Sequence, residues 1–130
     1  MKNMADSLED LFVEEEEALD LDALRSILVN YVKLSKEGGI FPLPGFETLS
    51  AEQKILTYLL AKKVLKLKIN LDELTAPKEI QESVGLPKGT VNPKLTGLAD
   101  RRLVQNVKGK YFIPNYAVNK VKELFLDKTK

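Results

Sequence analysis

A chain of 130 residues with 44% apolar content can build one real core with an appended element, but not two independent cores. It has no cysteine and no histidine, which excludes disulfide frameworks and thiolate metal sites and removes the commonest general base at neutral pH. The net charge of +1 hides a division: residues 1–50 hold 4 Lys/Arg against 11 Asp/Glu, whereas residues 51–130 hold 16 against 8.

Such a split fits a basic body that faces an anionic partner, and equally an acidic front that attracts the body. No apolar run approaches the roughly 20 residues of a membrane span, and the acidic amino terminus lacks a signal-peptide core. A cytoplasmic protein that does not enter membranes is expected.

Residues 1–18 contain Glu14 to Glu17 in a row and read as an acidic, solvated tail. Leu8, Leu11 and Phe12 within it have helical spacing. Leu21, Leu24, Ile27, Leu28, Tyr31 and Val32 then follow the period of an amphipathic helix over 21–36. Asp20 or Asp22 can cap its start, and Gly38 with Gly39 can end it. Pro42 and Pro44 argue for an extended linker or edge segment up to residue 49, the joint between an acidic front and a basic body.

Ser50-Ala51-Glu52-Gln53 is a capping box. The helix it opens carries Ile55, Leu56, Leu59, Leu60, Val64 and Leu67 on one stripe. Lys62, Lys63, Lys66 and Lys68 crowd its second half, where positive charge complements the helix dipole without any ligand. A short helix with Pro77 in its first turn follows, turning Ile80 and Val84 inward. Gly85 stands where the chain needs positive φ, and Leu86 plugs the angle to the next helix. Pro93 favours a start near Thr90, with residues 90–102 as the second helix and Val91, Leu95, Leu98 and Leu103 inward. A hairpin over 104–113 has Lys108-Gly109 at its tip. Pro114 stops it, and Asn115 caps a last helix packing Val118, Val121, Leu124 and Phe125.

The fold class expected is mainly α with a small β-hairpin, preceded by an extra amino-terminal helix. Over about residues 50–127 the order of elements resembles the winged helix-turn-helix of transcription regulators in the broad MarR-, ArsR- and TrmB-like group. The resemblance rests on Ile80, Val84, Gly85, Leu86 and Val91, which fall where that pattern takes apolar, apolar, Gly, apolar, apolar. Gln81 departs from it, since a small residue usually lets the two helices approach there.

What the resemblance implies is binding of double-stranded DNA, with the second helix in the major groove. Its outward residues are Lys88, Thr90, Asn92, Pro93, Thr96 and Gly97, with Lys94 beside them. Asn92 can pair with adenine, while Lys88 and Thr90 can hold phosphates. Arg101, at the junction with the hairpin, and Lys108 and Lys110 on it would add backbone contacts. A homodimer with two half-sites is a further implication.

Against this stands a winged helix that serves as an adaptor, with a protein partner held through the amino-terminal helix. Pro93 and Gly97 leave an outward surface with little charge. Catalysis is not expected, since no phosphate-binding loop, nucleophile elbow or acid/base pair appears. No residue set points to a cofactor.

Overall fold

A computed structural model describes Leu8 and residues 19–126. The remainder of the acidic 1–18 segment lies outside the described residues, and with it the reading of that segment as a tail. Asp20 caps the first helix, α1 (Leu21–Leu28), its Oδ1 accepting from the Ala23 amide at 2.9 Å. The amide bond and the nearby Asn119 and Lys122 hold this carboxyl below its ordinary value. Ala23, Leu24, Ile27 and Leu28 bury one face.

The helix expected over 21–36 ends at Leu28. The chain turns, with the Tyr31 amide on the Leu28 carbonyl at 2.9 Å, and forms an antiparallel hairpin of β1 (Val32–Leu34) and β2 (Ile40–Pro42). Val32 is therefore buried from a strand, not a helix. Pro42 joins the pairing because of register. Leu43 donates to the Tyr31 carbonyl at 2.8 Å and Ser35 to the Gly39 carbonyl at 3.0 Å. The hydrogen-bonded pairs thus alternate so that Val32 opposite Pro42 is a non-bonded pair, and the missing proline N–H is not asked for. Gly38, with φ of 99°, makes a hairpin turn where the sequence suggests a helix end.

After a 3-10 turn at Pro44–Thr48, the long helix α2 (Ala51–Ile69) begins at the capping box expected at Ser50: Gln53 N donates to Ser50 Oγ at 3.1 Å, and Ser50 N to Gln53 Oε1 at 3.0 Å. Ile55, Leu56, Leu59, Leu60 and Ala61 are buried almost completely. Apolar residues occupy several of its faces because α1 and the three helices that come after α2 in the chain all pack on it. The stripe ends earlier than expected. Val64 is half-buried and Leu67 is 45% exposed, whereas Leu65 and Lys63 point inward.

Two short-linked helices follow, α3 (Pro77–Val84) and α4 (Lys88–Asp100), then the hairpin β3 (Gln105–Val107) and β4 (Lys110–Phe112). A 3-10 turn at Asn115–Ala117 leads into α5 (Val118–Leu126). Asn115 does not cap that helix; its Oδ1 accepts from Lys63 Nζ at 2.6 Å instead. Among the described residues one apolar cluster runs from Leu19 to Phe125 and draws on every helix, so the front elements share the core of the body. No helix is long and apolar enough to cross a membrane among these residues. The result is a mainly helical fold with two small antiparallel hairpins.

Candidate nucleic-acid interface

Pro77 opens α3 at a position where no amide is needed, and Ile80 and Val84 anchor it. Gly85 ends it with φ of 73°, its amide on the Gln81 carbonyl at 3.0 Å. The Leu86 amide reaches the same carbonyl at 3.1 Å, so the helix end is closed by two bonds. Three residues later α4 begins.

Its start is Lys88, two residues before the Thr90 expected. Pro87 is the N-cap, and both the Thr90 and Val91 amides bond its carbonyl at 3.0 Å. Pro93 consequently lies inside the helix rather than in its first turn. It has no N–H for the Gly89 carbonyl, four residues earlier. The helix continues because Val91, Leu95 and Leu98 are buried against the body. Tertiary packing outweighs the local penalty.

Lys88, Lys94 and Thr96 are exposed on α4, with Thr90 and Asn92 half-buried. Gly89, Pro93, Thr96 and Gly97 follow one another at i, i+4, i+7 and i+8, which is a single face. A Cβ added at Gly89 or Gly97 would meet nothing within 4 Å among the described residues, so neither glycine is required by their packing. Neither has positive φ. Two side chains on this helix are less free than their types suggest. Gln81 Nε2 donates to Asn92 Oδ1 at 3.2 Å, bridging α3 and α4 where a small residue was expected. The Thr96 hydroxyl donates to the Asn92 carbonyl at 3.2 Å.

The β3–β4 hairpin turns on Lys108 and Gly109, both with positive φ (53° and 87°), as a two-residue turn requires. Asn106 Oδ1 accepts from the Gly109 amide at 2.8 Å, which stiffens the tip. The base of the hairpin is tied down twice. Thr75 and Tyr111 exchange backbone bonds of 2.9 and 2.8 Å, fixing β4 to the chain entering α3. Lys63, 2% exposed, places its ammonium 2.8 Å from Glu73 Oε1 and 5.8 Å from the centre of the Phe112 ring, in addition to its bond to Asn115. The Glu73 contact is an ion pair without hydrogen-bond alignment. Lys63 is thus a buried clamp, not one of a row of solvated lysines. Together these bonds make α3, α4 and the hairpin one unit that carries Lys88, Lys94, Lys108 and Lys110.

Arg101 does not belong to that group. It follows the last turn of α4, about 20 Å along the axis from Lys88, and its guanidinium pairs with Glu52 at 3.0 Å. A cluster that the sequence did not reveal sits instead beside the hairpin. Glu79 Oε2 accepts from Tyr58 Oη at 2.6 Å and from Lys62 Nζ at 2.9 Å, and Ser83 Oγ donates to Tyr58 Oη at 3.1 Å. Burial, reinforced by the Glu79 bond, pushes the Tyr58 hydroxyl up to about 12. Burial alone would raise the Glu79 carboxyl, but the Tyr58 and Lys62 bonds and the charges of Lys62 and Lys110 outweigh it and hold the group low. Tyr58 and Lys62 are i, i+4 on α2, which was legible; their partner on α3 was not. The cluster lines a cleft of about 250 Å³ under the front hairpin, roofed by Val32, Ile40 and Phe46.

Among the described residues no group of His, Cys, Asp or Glu is arranged to hold a metal ion. Comparison with protein-family models, with curated proteins and with solved structures finds no match.

Proposed function

We propose that this protein binds double-stranded DNA as a winged helix, with α4 in the major groove and the β3–β4 hairpin along the adjacent backbone. The observation that carries the reading is the outward face of α4. Glycine costs about 1 kcal/mol and proline about 3 kcal/mol in a helix interior, yet Gly97 and Pro93 sit there with Gly89 one turn before, and nothing among the described residues packs over either glycine. A face that weakens its own helix without serving the core suits the close approach of another surface. Exposed Lys88 and Lys94 flank it.

In this arrangement Lys88 and Thr90 hold phosphate at the amino end of a 13-residue helix. Lys108 and Lys110 add phosphate contacts that carry affinity but no sequence information. Thr96, its hydroxyl turned to the backbone, offers a methyl group to the groove. Asn92 reads adenine only by exchanging Gln81 for the base edge. Arg101 makes no contact, being paired with Glu52. A transcription regulator that pairs as a homodimer on two half-sites is the biological role that fits best.

The test is fluorescence anisotropy of a mixed-sequence duplex, titrated across salt. Affinity is expected to fall with a log–log slope of about −0.9 per phosphate contacted. No binding at low salt refutes the reading. A second reading, an adaptor that docks a protein on α4, is favoured by the low charge of the Gly89–Pro93–Thr96–Gly97 face itself. Lys108→Glu with Lys110→Glu separates the two, because DNA affinity drops for every sequence whereas a protein seated on α4 is hardly affected.

A further inference from the structure

An apolar groove of about 450 Å³ runs between α1, β1 and the second half of α2. Leu28 lies in its floor, while Leu21, Val29 and Leu67 stand 61%, 44% and 45% exposed along it. Arg25 and Lys68 line the same groove with a single acid, Asp22, and Lys36 lines the adjoining one, so the cations are in excess. Among the described residues none of these three cations has an ion-pair partner, although Lys54, Lys62, Lys63 and Arg101 all do. An apolar trough with an unpaired basic rim calls for an occupant that is apolar on one side and acidic on the other.

The chain carries such a segment immediately upstream. Residues 9–18 combine Leu11 and Phe12 with six acidic residues, Glu9, Asp10 and Glu14 to Glu17. The segment leads straight into Leu19, which is buried in the core, and Leu21, which borders the groove. Phe12 and Leu19 are seven residue steps apart, a reach of up to about 23 Å, against a length of about 12 Å for the eight residues of α1. Connectivity therefore allows Phe12 to lie anywhere along the groove. We propose that the groove is the seat of the chain's own residues 9–18, with Leu11 and Phe12 over Leu28 and Leu67 and the glutamates facing Arg25, Lys36 and Lys68. The acidic segment then offsets the cations along the groove and leaves the α4 face open, whatever α4 binds.

The full-length chain has no native cysteine, so Ser7→Cys accepts a single nitroxide label. The expected result is loss of most amide signal intensity at residues 21–29 and 64–68 of the same molecule, and recovery of that intensity in Leu11→Ser/Phe12→Ser. Both changes lie outside the described core. Loss of intensity at residues 88–97 and 105–112 instead means that the segment screens the basic face, and overturns the proposal. So does the absence of any loss at the groove. A mixture of nitroxide-labelled chain with isotope-labelled, nitroxide-free chain must show no loss at the groove; loss there makes a second copy the occupant and overturns the intramolecular seat.

Discussion

Lys63→Met removes one ammonium and keeps the length of the side chain, so it isolates the buried clamp at the base of the β3–β4 hairpin. Lys63 is 2% exposed and Glu73 is 18% exposed in its side chain. Removing one partner of a buried pair costs about 3–5 kcal/mol because the other charge stays buried without compensation. Water can still reach part of the Glu73 carboxylate, which places the expected cost at the lower end, about 3 kcal/mol. The lost cation–π contact with Phe112 and the lost bond to Asn115 are parts of that figure, not additions to it. For a chain of this size the midpoint of thermal unfolding falls by about 10 °C. Urea denaturation followed by circular dichroism measures the difference. Lys63→Met/Glu73→Leu removes both charges and is expected to recover most of the loss, since an apolar pair of similar volume needs no desolvated ion. A cost below about 1 kcal/mol for the single change, or a double variant no better than the single, refutes the clamp.

Gly97→Ala is expected to stabilise the fold by about 1 kcal/mol, because the added methyl enters open space on a helix. The same change lowers DNA affinity if the α4 face is the contact surface; affinity that rises or holds with stability counts against it. Gly85→Ala is expected to act oppositely, costing about 1 kcal/mol in urea denaturation, since φ of 73° disfavours a Cβ. The Tyr58–Lys62–Glu79 cluster adds a pH dependence. Glu79 titrates below its unfolded value, so its contribution is complete above the usual carboxylate range and is lost as pH falls through the lowered value. Glu79→Gln should therefore flatten the acid side of the stability–pH curve; an unchanged acid limb means the cluster is not linked to folding.

The helix cap at Ser50, the turn at Gly85, the hairpin tip at Lys108 and Gly109 and the core positions of α3 to α5 were all legible in the sequence. Each depends on local chemistry: a hydroxyl within reach of a first-turn amide, a backbone angle that glycine tolerates, or an apolar period. The lysines of the candidate interface were legible as types and approximate places. The pairing of Arg101 with Glu52 was not legible, because the two lie 49 residues apart.

What needed the tertiary structure were features where two distant segments meet. The apolar period over residues 21–32 is continuous in sequence, and only pairing with residues 40–42 stops the helix at Leu28 and turns Val32 into a strand residue. Pro93 argued for a later helix start, and burial of Val91, Leu95 and Leu98 overrode it. Lys63 looked like its neighbours Lys62 and Lys66, and only the approach of Glu73, Asn115 and Phe112 makes it an interior residue. Local propensities act over a few bonds and can be read along the chain. Burial and ion pairing depend on which segments fold against each other, and spacing in one segment does not encode its partner.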